Sequence, residues 1–171
     1  MANDIIRSFM SLPTIDGFEF ARLGSELGGH WAVADLPRLQ DVVRSKTGAI
    51  AWSVKGVPDG VGRPALAVAV SGVLALSCQR CLEALEHRFR SESVLVLARS
   101  EEEADADPVE ADGPERVVAG PEMPVRDLVE DEVLLALPLA VRHERCDAAS
   151  GREATQSNTP FAGLKGLLGR H

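Results

Sequence analysis

Cys78, Gln79, Arg80 and Cys81 follow one another in the chain, and two cysteines separated by two residues can turn both sulfurs toward one point. A tight turn at such a pair lets backbone amides support thiolates, which is the geometry of half a zinc site. The same spacing recurs at His143 and Cys146. Cys78, Cys81, His143 and Cys146 therefore form a candidate Cys3His set, whose thiolate and imidazole donors suit Zn²⁺, the one cofactor the chain suggests. Two other readings stand beside it. Cys78 can be a small buried apolar side chain, with His143 an ordinary surface or capping residue. The pair can also be a redox centre, but a thioredoxin-type CxxC sits where a strand runs into a helix, and here β-like alternation resumes after Leu85. The chain has no glycine-rich phosphate loop, HExxH or GxSxG run, so no catalytic residue or small-molecule substrate is assigned, and a non-enzymatic protein is expected.

The elements that must position these residues are read from periodicity. Residues 65–76 alternate, with Leu66, Val68, Val70, Leu74 and Leu76 on one face, and the same parity brings Cys78 onto that face. Gly72 within the run predicts a bulge or bend. Leu85, His87 and Phe89 alternate again and 94–98 is apolar, so two long strands joined at the cysteines predict an antiparallel hairpin. Residues 49–57 read as another half-buried strand, and 15–22 as a short one with Phe18 and Phe20 on one face. A helix of about three turns is expected from an Asp35 cap through Val43, ending at Gly48. The best helix is 125–137: Pro124 opens it, Val125, Leu128, Val129 and Val133 form its apolar stripe, and Asp127, Glu130, Asp131 and Glu132 mostly face outward. The fold class is α+β: an antiparallel sheet with a long Cys-tipped hairpin, packed against one or two helices. One domain is expected over residues 1–157, with 158–171 as an amphipathic tail.

The net charge of −8 argues against a nucleic-acid partner until its distribution is considered. Eight acids fall within 101–115 with no Lys or Arg among them, and without that segment acids and bases balance. It has no apolar period and reads as a mobile acidic loop within the domain. The longest apolar stretches, 64–77 and 133–141, fall short of the roughly 20 residues that cross a bilayer. The amino terminus, with Asp4 and Arg7 near Met1, does not read as a secretory signal. A cytoplasmic location without membrane contact follows, where three cysteines stay free or metal-bound.

Three segments together resemble the YceD family of large ribosomal RNA accumulation proteins: LSCQRCL at 76–82, DLVEDEVLLALPLAVRH at 127–143 followed by Cys146, and TPFAGLKGL at 159–167. Thr159 intrudes between Asn158 and Pro160 where the family usually joins Asn to Pro, and Val141 stands where a Pro is common. The resemblance implies a role in the accumulation or processing of large-subunit (23S) ribosomal RNA, through contact with precursor RNA or an assembling subunit. It implies no known enzyme activity. Arg80, Arg88, Arg90, Arg142 and Arg145 gather around the cysteines and could bind phosphates, with Arg80 projecting from a rigid turn. The bland counterpart is solvated arginines on an outer hairpin face. Absence of Tyr and few other aromatics leaves base stacking poorly supported. A protein adaptor is the rival reading, in which Phe161, Leu164 and Leu167 dock a ribosomal protein or assembly factor.

Overall fold

A computed structural model describes residues 13–106 and 114–146. Its centre is a five-stranded sheet in the order β2 (Glu26–Ala32), β3 (Ala49–Pro58), β4 (Pro64–Ser77), β5 (Ala84–Ala98) and β6 (Arg116–Val118). The first four strands form an antiparallel meander, joined by the short connections 59–63 and 78–83 and by a longer one at 33–48. β6 departs from the expected antiparallel plan by joining β5 in parallel. A separate two-stranded ladder joins β1 (Thr14–Ile15) to β7 (Met123–Pro124).

The even-numbered apolar positions of β3 and β4 lie in the core, with Ile50, Val54, Leu66 and Leu74 fully buried. Burying each such side chain contributes about 1.5–3 kcal/mol. Their cover is helix α3 (Val125–Ala136), whose Val125, Leu128, Val129 and Val133 stripe faces the sheet. The Trp31 ring stacks on Trp52 at 4.3 Å and extends the core to the β2 edge. Among the described residues no helix is long and apolar enough to cross a membrane.

Several expectations are corrected. The strand foreseen at 15–22 is mostly helix α1 (Gly17–Leu23). The Asp16 carboxylate accepts the Glu19 N–H at 2.9 Å, Gly24 closes the helix in the left-handed region, and Phe20 and Ala21 turn inward. The helix foreseen from Asp35 is instead two 3-10 segments, Val33–Asp35 and Pro37–Asp41. Pro37 keeps Leu36 out of helical geometry (φ −112°, ψ 88°) and divides the run. Gly48 ends no helix; at φ 108° its carbonyl accepts the Val33 N–H and the chain enters β3.

Gly72 makes no bulge, since β4–β5 register is unbroken from Ala65 to Ser77. The glycine instead fits a closely packed spot: a Cβ there would sit 3.2 Å from the Phe89 ring and from the Ala49 carbonyl oxygen, so its neighbours would have to shift by a few tenths of an ångström. The acidic segment begins as a short helix, α2 (Glu101–Asp105), because Ser100 caps it at Glu103 N–H. Residues 107–113 of that segment, and the tail at 158–171, lie outside the described residues.

Two acids of α3 face inward rather than outward. Glu130 is 1% exposed and accepts the Arg38 N–H at 2.9 Å, capping the second 3-10 segment, which has no capping side chain of its own. Glu132 is buried against β5 and accepts hydroxyl hydrogen bonds from Ser91 and Ser93, each at 2.5 Å.

Candidate metal centre

The parity of β4 does the first work at the tip. Leu74 and Leu76 are buried, and Cys78, two residues further, is fully buried on the same side. The connection from β4 to β5 then folds on itself: Leu82 N–H donates to the Cys78 carbonyl, and Cys78 N–H to the Glu83 carbonyl, each at 2.9 Å. Closing so tight a loop puts Leu82 in the left-handed region at φ 63°. A non-glycine residue there costs about 1–2 kcal/mol, so the surroundings must hold it. Arg44 does so from the segment before β3. Its N–H donates to the Ala75 carbonyl at 2.7 Å and its guanidinium to the Leu82 carbonyl.

The second half arrives from the segment after α3. Gln79 N–H donates to the Val141 carbonyl at 2.9 Å, and the Arg80 guanidinium donates to the Cys146 carbonyl at 3.0 Å. Arg80 is therefore not a freely projecting side chain; it clasps the two halves of the tip. With these bonds made, Cys78 Sγ lies 3.5 Å from Cys146 Sγ, and Cys81 Sγ lies 3.3 Å from His143 Nδ1. Cys146 Sγ is 3.9 Å from the same nitrogen, and all four donor atoms fall within 4.8 Å of one another. The His143 Nε2–H donates to the Ala84 carbonyl at 3.1 Å, which aims the Nδ1 lone pair at the sulfurs.

Those separations can be set against the group they would hold. Bonds of about 2.3 Å to sulfur and 2.0 Å to nitrogen in a tetrahedron place sulfurs about 3.8 Å apart and sulfur about 3.5 Å from nitrogen. Three spacings at the tip, 3.5, 3.3 and 3.9 Å, lie close to these edges, and no disulfide is formed; all three cysteines are free. The electrostatics agree. Hydrogen bonding from the Cys81 backbone N–H, then from those of His143 and Arg80, outweighs burial and brings the Cys78 thiol down to about 5. Burial, reinforced by hydrogen bonding to the neighbouring sulfurs, pushes Cys146 up instead. The backbone thus favours the thiolate of Cys78, and a divalent cation would supply the charge to deprotonate Cys146. The four residues foreseen as ligands are brought together and could hold a metal ion.

The other foreseen site residues are placed as follows. Arg88 and Arg90 are exposed on the outward face of β5, opposite Val73 and Ser71, and Arg90 pairs with Glu92 at 2.5 Å. Arg142 and Arg145 are exposed beside the ligands. Phe161, Leu164 and Leu167 lie outside the described residues. Arg44 was missed: nothing in its local sequence signals a role at a turn 38 positions away.

The family described as Large ribosomal RNA subunit accumulation protein YceD matches residues 66–168, which include both halves of the tip. No solved structure matches the chain.

Proposed function

The chain belongs to the YceD family of large ribosomal RNA accumulation proteins, and from that membership we propose a non-enzymatic ribosome-biogenesis factor that presents a zinc-held tip to precursor RNA of the assembling large subunit. The observation that carries this reading is the convergence of Cys78, Cys81, His143 and Cys146 from two segments 62 or more positions apart, with arginines between and beside them. When bound, zinc would supply a structural cross-link between the segments; it takes part in no reaction. Arg142 and Arg145, carried on the ligand segment, and Arg88 on β5 offer guanidinium forks to phosphate oxygens. Arg80 contributes mainly by holding the segments together, because its guanidinium is engaged on Cys146.

Residues 78–83 and 141–146 contain no Phe, Tyr or Trp, and His143 is turned to the sulfurs, so the contact would position RNA through its backbone rather than stack on its bases. Crosslinking followed by RNA sequencing tests the partner. Enrichment of large-subunit precursor RNA over a control protein is expected, and its loss on Arg142→Ala with Arg145→Ala; no enrichment removes the RNA reading. Elemental analysis tests the metal: stoichiometric zinc, absent from Cys81→Ser, is expected, whereas zinc-free wild-type protein would leave the tip a packed turn.

A further inference from the structure

If a disulfide formed, the spacing of the sequence would pair Cys78 with Cys81. The structure pairs Cys78 otherwise, since its sulfur lies 3.5 Å from that of Cys146 while Cys81 faces His143 at 3.3 Å. We propose that Cys78 and Cys146 are a reversible oxidative modification site, at which a hydroperoxide closes a disulfide and empties the metal centre. The metal part of this rests on the zinc reading above; the pairing rests on geometry alone.

Two thiolates, hydrogen peroxide and two protons give one disulfide and two waters. The sulfurs lose two electrons, the peroxide O–O bond breaks and the S–S bond forms. Zinc leaves as the divalent ion, because Cys81 and His143 alone leave it two protein ligands short. Oxidation starts at Cys81, the one half-buried sulfur, since Cys78 and Cys146 are buried. Its thiolate takes one peroxide oxygen as sulfenic acid, a neighbouring thiolate displaces that oxygen as water, and exchange passes the disulfide on.

Two features make Cys78–Cys146 the end point. The Gln79–Val141 and Arg80–Cys146 hydrogen bonds need no metal, so the two segments stay side by side after zinc leaves. The sulfurs then move only about 1.5 Å to bond. The oxidised tip keeps its halves joined while Cys81 and His143 are released, which would couple the arginine surface to oxidant.

The test uses the full-length, zinc-loaded chain treated with hydrogen peroxide. Zinc is followed with a chromogenic chelator, and linkages are mapped by mass spectrometry of unreduced peptides. One equivalent of zinc released together with a Cys78–Cys146 peptide pair is expected, both reversed by a thiol reductant with added zinc. A predominant Cys78–Cys81 linkage, or zinc release with sulfinic acids and no cross-link, overturns the proposal. Cys146→Ser should give no cross-link between the two segments, and a Cys78 linkage of equal yield in that variant also counts against the proposal. Should the purified protein hold no zinc, the metal reading fails by itself, and the mapped linkage still decides the pairing.

Discussion

The two ends of the β4–β5 hairpin are built on opposite principles. At its base, Leu66, Val68, Leu95 and Leu97 are buried in the core under α3, and the acids of α2 lie nearby in the chain. At its tip the apolar side chains run out after Leu76, and order comes from individually identifiable hydrogen bonds, a cluster of sulfurs and an imidazole. The base is held by many weak, nonspecific contacts and tolerates no loss of volume. The tip is held by few, specific contacts, and each can be switched. The four candidate ligands are gathered where the apolar side chains of the hairpin run out.

The comparison can be broken most severely from the base. Leu66→Ala removes a fully buried side chain and should cost about 2–5 kcal/mol, read as a lower urea midpoint for the whole domain. A loss confined to one local region, with the midpoint unmoved, would show that the base is not the common core. Glu132→Leu should cost about 1–3 kcal/mol by stranding the hydroxyls of Ser91 and Ser93, and replacing both serines with Ala in that background should recover part of it. Additive losses across those variants would mean that the three groups do not act together.

At the tip the effects are smaller and local. Removing metal with a chelator should speed amide exchange at residues 78–83 and 141–146 while the amides of Leu66 and Val129 stay protected; equal acceleration at both ends would erase the distinction. Arg44→Ala, which frees the Leu82 carbonyl, should cost about 1 kcal/mol and accelerate the same tip amides. Smallest for stability is Arg142→Ala with Arg145→Ala, expected within about 0.5 kcal/mol of the parent. In RNA binding, however, that double variant should flatten the dependence of log affinity on log salt by about 1.5–2.

The hairpin and the grouping of Cys78, Cys81, His143 and Cys146 were legible because both depend on local rules. A period of two assigns Cys78 to the inner face, and paired spacings mark the donors. The fold was less legible where a local signal competed with tertiary surroundings. Phe18 and Phe20 satisfy a strand pattern, yet the Asp16 cap and the burial of Phe20 and Ala21 favour a helix. Glu132 falls by helical spacing on the Val125, Leu128 and Val129 stripe and meets two serines there, whereas Glu130 lies off that stripe and is drawn inward by the uncapped 3-10 segment opposite. Arg44 carries no mark at all, since its importance comes from a carbonyl that the turn exposes only after it has formed.

The 62 positions separating Cys81 from His143 also impose an order in time. At a synthesis rate of about 5–20 residues per second, the first two sulfurs wait roughly 3–12 s for their partners. In that interval β2 to β5 can zip together through adjacent hairpins, whereas β6 and α3 must still be made. The four donors can meet only when α3 has laid the following segment against the tip. Closure of the cluster thus comes last: a nascent chain carries Cys78 and Cys81 alone, and only the finished one brings His143 and Cys146 to them.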